Sequence, residues 1–163
     1  MSQQRADAVF EAAFAEFRQD PGVILFTALR WLPSESVLRR VFTSHPAEYP
    51  LGAEKSVEIS TGWLETVISK RQAFMAPDAA ALSEVFSDVA LIQSLGCGAV
   101  INVPVTSHEG VVGVLALLDA EGKYTSQSLE AVSSAVSAAS DELAAAFVNS
   151  DQAVSPEKGT FLP

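Results

Sequence analysis

Residues 99–106, A-V-I-N-V-P-V-T, and 111–119, V-V-G-V-L-A-L-L-D, are two apolar runs separated by the short polar stretch S-H-E-G. They are rich in β-branched residues, and the stretch between them suits a compact turn, so together they read as an antiparallel hairpin. Side chains alternate along a strand. Val100, Asn102 and Pro104 therefore share one face, and Ile101, Val103 and Val105 share the other. On the second strand Val114, Ala116 and Leu118 share a face. Both faces of the hairpin are largely apolar, which requires a sheet covered on both sides.

The flanking segments supply the cover. Phe10, Ala13, Phe14 and Phe17 stripe a helix over residues 3–19 that Pro21-Gly22 ends. V-I-L-F-T-A-L-R-W-L (23–32) and S-V-L-R-R-V-F-T-S (36–44) read as an antiparallel strand pair. Residues 45–59 hold two prolines and a glycine within H-P-A-E-Y-P-L-G and are read as an irregular loop. Trp63, Leu64, Val67 and Ile68 mark a helix capped by Ser60 or Thr61, and F-M-A-P after it is too short to assign. Leu82, Val85, Phe86, Val89, Ile92 and Leu95 predict one helix over 79–95, stopped by Gly96 in the left-handed conformation. Leu129, Val132, Val136, Ala139, Leu143 and Phe147 stripe a single long alanine-rich helix from Thr125 or Ser126. The layout is α+β. Terminal helices cover one face of an antiparallel sheet, and the loop-rich segment 45–95 covers the other and leaves room for a cavity. Residues 1–149 form one domain in this reading, and 150–163 a tail without periodicity.

Composition narrows the function classes. With 48% apolar residues and a mean hydropathy of +0.25 the chain is globular in character. No run approaches the roughly 18 apolar residues of a membrane span. The opening M-S-Q-Q-R-A-D-A-V-F-E has acids and helical periodicity rather than signal-peptide character, so a cytoplasmic protein is expected. A formal charge of −10 with ten basic residues argues against nucleic acid and against anionic membrane surfaces as partners. One cysteine excludes an internal disulfide framework and a thiolate metal cluster. His45 and His108 sit in separate predicted turns without metal-ligand spacing, and no cofactor is expected.

L-G-C-G-A-V-I-N-V-P-V, a turn, V-V-G-V-L-A-L-L-D, and then Y-T-S-Q-S-L-E-A-V-S-S-A-V in a final amphipathic helix resemble the C-terminal half of a GAF domain. The resemblance extends over residues 5–149 and describes a stand-alone domain. It implies a five- or six-stranded antiparallel sheet, terminal helices on one face and a small-molecule pocket on the other. It also implies one of three roles: ligand sensor, dimerisation module or, in a minority, free methionine-R-sulfoxide reductase. Aligned on Pro104, the reductase branch would need its attacking cysteine near Gln93, a glutamate at Val100 and aspartates at Ala116 and Leu118. Those positions hold an amide and three hydrocarbons. Cys97 lies four residues beyond the expected nucleophile, lacks a resolving thiol, and is followed by glycine rather than the histidine of bilin-binding relatives. It reads as a small residue filling a corner, with a redox-sensing thiol as the alternative.

The same alignment points Val100, Asn102 and Pro104, with Val114, Ala116 and Leu118, toward the pocket. A buried amide requires a partner, so Asn102 bonds either a loop or a ligand. On the strand 36–44, Arg40, Phe42 and Ser44 share a face, and one of Arg39 and Arg40 is a candidate for a carboxylate at the cavity edge. Tyr49 and Lys55 in the loop, Trp63 and Phe86 in the helices, complete the expected lid. The ligand expected is a small organic molecule, aromatic or carboxylated. A homodimer through Phe10, Phe14, Phe17 and the alanine-rich C-terminal helix is the expected assembly. The competing class is a scaffold protein with a vestigial pocket, and no nucleophile–base pair or acid dyad supports an enzyme.

Overall fold

The computed structural model describes residues 1–55 and 60–153. Helix α1 (Gln3–Gln19) leads into strands β1 (Leu25–Leu32), β2 (Val37–Thr43) and β3 (Glu54–Lys55). Helix α2 (Thr61–Leu64), extended by a π-helical turn over Glu65–Ser69, precedes β4 (Phe74–Ala76), α3 (Ala79–Ser83) and α4 (Val89–Ser94). The hairpin β5 (Ala99–Ser107) and β6 (Gly110–Asp119) and the helices α5 (Ser126–Ala138) and α6 (Ser140–Ala153) complete the fold. The six strands form one sheet in the order β3-β2-β1-β6-β5-β4, with antiparallel pairing at every junction. The α+β class, the antiparallel sheet and the hairpin are as the sequence predicts.

Strand order explains the layers. β3 and β4 are consecutive in the chain but lie on opposite edges, so the segment between them crosses a face of the sheet. It does so with α2, and the return from β4 to β5 adds α3 and α4 on the same side. Trp63 and Val67 accordingly pack with Leu29, Leu38 and Val114. Leu82 and Ile92 pack with Leu25, Val100 and Leu118. The opposite face carries Phe26, Ala28, Ile101, Val103, Leu115 and Leu117 against Phe10, Phe17, Val132, Val136, Leu143 and Phe147 of the terminal helices.

Three expectations are corrected by packing. Phe42 does not share a face with Arg40. Ala28 pairs with Phe42 and Leu29 with Arg40, leaving Val41 as the extra residue of a β-bulge. The bulge shifts the phase of alternation, so Phe42 stands on the helix side, 5.7 Å from the Phe10 ring and 5.8 Å from that of Phe26. The stripe predicted as one C-terminal helix is two, α5 and α6, bent by 75°. At the break, Ala139 leaves helical geometry with φ −108° and ψ 16°, and Ser140-Asp141-Glu142 restarts the helix with acids in its first turn. Residues 79–95 are likewise two short helices. Asp78 caps the first by accepting from the Ala81 N–H at 2.9 Å, and Asp88 precedes the second.

Gly96 has φ +85°, the left-handed stop expected of it. No single helix among the described residues is long and apolar enough to cross a membrane. The phenylalanine stripe of α1 faces the sheet, contrary to the dimer expectation: Phe10 and Phe17 are buried and Phe14 stacks on Phe26 at 5.5 Å. The Lys55 side chain, residues 56–59 of the expected loop and 154–163 of the expected tail lie outside the described residues.

Candidate functional site

Between the sheet and its crossing segment lies a pocket that opens to solvent. Its floor is Leu25, Thr27 and Leu29 of β1, Leu38 and Arg40 of β2, Val100 and Asn102 of β5, and Ala116 and Leu118 of β6. Its roof is Tyr49, Trp63, Phe86, Asp88 and Ile92. Eight of the side chains expected from the sequence meet here. Phe42 is on the other side of the sheet, and Val114 lies on the correct face but beneath Leu29, Leu38, Trp63 and Val67, outside the cavity. Asp88 and Thr27 escaped the sequence reading. The S-D pair at 87–88 before V-A-L-I is a helix-start signal that could have exposed Asp88 by breaking the predicted helix.

Three of the polar groups, Arg40, Tyr49 and Asp88, form a chain of contacts. Arg40 is 1% exposed. Its Nη1 donates to the Pro50 carbonyl at 3.2 Å, and its guanidinium lies over the Tyr49 ring, 4.7 Å from the centroid. The Tyr49 hydroxyl donates to Asp88 Oδ2 at 2.6 Å. Burial pulls the Arg40 pKa down to about 10, opposed by Tyr49 and Asp88, so the group is a cation at neutral pH. Burial, and then the charge of Asp88, push the Tyr49 hydroxyl above its ordinary range, so it stays a donor.

Asn102 has a protein partner, a side chain of the roof helix. Its Oδ1 accepts from the indole Nε1–H of Trp63 at 3.0 Å, tying the roof helix to the sheet. Its amide nitrogen bonds nothing among the described residues. Cys97 is 3% exposed and packs among Leu25, Leu118 and Ile92. Burial, reinforced by Asp119, pushes its thiol up to about 11. At pH 7.5 a thiol reagent should therefore modify the folded protein about 100-fold more slowly than the urea-unfolded chain. Rapid stoichiometric modification without unfolding would restore the redox reading. The fold keeps this thiol protonated, so its contribution to stability declines as pH rises from 9.0 through about 11.

A sequence model of the GAF domain matches residues 3–143. The chain belongs to the GAF domain family. This GAF domain superposes on that of a two-component sensor histidine kinase from Bacillus halodurans with a TM-score of 0.68 at 16% identity, covering 90% of this chain and 95% of that one. A methyl-accepting chemotaxis protein region gives a TM-score of 0.62 at 17% identity, covering 91% and 93%. The type II free methionine-R-sulfoxide reductase of Thermoplasma acidophilum gives 0.66 at 12% identity, covering 90% and 94%. At these identities the likeness is one of fold. None of the curated proteins matches the chain significantly. GAF domains typically serve as small-molecule-binding sensors or regulatory modules in signalling proteins. Of the positions that the sequence aligns with reductase residues, Val100, Ala116 and Leu118 line the cavity, whereas Gln93 is exposed on α4.

Proposed function

We propose that this GAF domain, residues 1–149, is a cytoplasmic sensor that binds a small, largely apolar organic molecule, aromatic or carboxylated, between the sheet and its roof. The observation that carries the reading is the cavity itself. Hydrocarbon walls are joined by a few inward polar groups, Arg40, Tyr49, Asp88, Thr27 and Asn102, the usual make-up of a small-molecule site. The ligand-binding set in this reading is Val100, Asn102, Ala116, Leu118, Arg40, Tyr49, Trp63 and Phe86.

A ligand would bridge floor and roof and so order the segment that carries Tyr49, Trp63 and Asp88. The signal would pass to a partner or to a second copy across the terminal helices. There, Val9, Ala12, Ala13, Ala135, Ala139 and Leu143 line a groove rimmed by Glu16 and Glu142. Of the α1 phenylalanines only Phe17 borders it.

Native mass spectrometry of the protein as purified from cells should find a small molecule retained. The sensor reading fails if none is retained and if a panel of aromatic acids, amides and nucleotides produces no thermal shift. That outcome favours the scaffold with a vestigial pocket.

A further inference from the structure

We infer that Arg40 is an anchor for one carboxylate group, and that the cavity takes a small apolar monocarboxylic acid, bound head-first as its anion. This rests on the cavity being a ligand site, and it deepens that reading by naming the head group and its orientation.

The first support is a buried charge. Arg40 is among the largest fully buried side chains of the protein. Asp88 favours its charged form, but no carboxylate among the described residues makes a direct ion pair with the guanidinium. A carboxylate delivered to it adds the hydrogen-bonded pairing that Asp88 does not supply. The second support is geometric. Nη1 is engaged by the Pro50 carbonyl, and one face of the plane is covered by Tyr49. Nε is buried with no hydrogen-bond partner, and Nη2 bonds nothing among the described residues. Nε and Nη2 form one edge of the guanidinium, with two parallel N–H bonds. That edge matches the two oxygens of a carboxylate.

The surroundings limit the rest of the molecule. Asp88 acts electrostatically on both Arg40 and Tyr49, so a second negative charge at this end would be repelled. A dianionic phosphate is disfavoured and a monoanion is suited. Away from these groups the cavity is walled mainly by Leu25, Leu29, Leu38, Ile92 and Leu118, with Thr27 and Asn102 as neutral polar groups; this lining accepts a branched or aromatic hydrocarbon body and supplies no second cation.

Calorimetric titration of the full chain with 4-methylpentanoate and phenylacetate, each beside its primary amide, tests this directly. At least one acid should bind with a Kd below about 1 mM, and its amide about ten-fold more weakly, because the amide keeps the shape and loses the charge. Arg40→Gln should bring the acid down to the level of the amide while changing amide binding by no more than about three-fold. Inorganic phosphate should not compete. An amide as tight as its acid, acid binding that survives Arg40→Gln, or competition by phosphate overturns the carboxylate anchor. Failure of both acids overturns it too. If native mass spectrometry still finds a retained molecule, only the anchor falls; if it finds none and the wider panel gives no thermal shift, the sensor reading falls with it. Should Arg40→Gln not melt cooperatively, the acid–amide comparison in the unaltered protein decides, together with Ala116→Leu, which fills the floor and must abolish acid binding.

Discussion

Phe147→Ala should lower the unfolding free energy by about 3–5 kcal/mol, the cost of emptying a closed aromatic site. The ring is fully buried and meets Phe10 edge-on, with centroids 5.0 Å apart and planes at 64°. It also lies directly on Gly113 of β6, where an added Cβ would stand 2.5 Å from Cε1 of the ring. This glycine is required by close approach, because φ at 113 is not positive. Gly113→Ala by itself should therefore cost about 1–3 kcal/mol through overpacking. The two residues claim the same space, so the double variant should be less destabilised than the sum of the single ones. Urea denaturation followed by circular dichroism measures all three. A Phe147→Ala cost below about 1 kcal/mol, or strict additivity, would show that the terminal helices do not hold the sheet as described.

Trp63→Ala should cost a similar amount, about 3–5 kcal/mol, and should take the roof off the cavity. The indole is buried among Leu29, Leu38, Val67 and Val114, and its helix starts on Ser60, whose Oγ accepts from the Trp63 N–H at 3.2 Å. Its removal deletes this packing and leaves Asn102 Oδ1 without its donor. Trp63→Phe separates the two contributions. It keeps most of the apolar surface and loses the N–H, for an expected cost of about 1–3 kcal/mol. Adding Asn102→Leu to Trp63→Phe should recover part of that loss, because an unpaired acceptor is then replaced by hydrocarbon. If Trp63→Phe proves neutral, water in the cavity has taken over the bond to Asn102.

What could be read from the residues follows from how local each signal is. The hairpin was expected over 99–106 and 111–119 and is found over Ala99–Ser107 and Gly110–Asp119, because alternation and turn chemistry are properties of neighbouring residues. Gly96 is explained the same way. Arg40 and Phe42 show the limit. They are two positions apart and were expected to face together, but the bulge at Val41 arises from the pairing of β2 with β1. Nothing in V-L-R-R-V-F-T marks it. The break at Ala139 is similar, since alanine favours helix and gives no stop signal. There α5 packs on β5 while α6 packs along α1 and the sheet.

The sequence alone determined where the chain is helical, where its four long strands run (though not the short edge strands β3 and β4), which strands alternate about a buried sheet, and that Cys97 has no thiol partner in its own chain. Tertiary structure decided which polar groups meet. Tyr49 reaches Asp88 across 39 positions, and Trp63 reaches Asn102 across 39. Arg40 faces the same cavity as Leu38 by plain alternation, and only the bulge after it turns Phe42 away. Contacts of this span have no signature in either local segment, because they are set by strand order and by the one face of the sheet that the crossing segment must cover.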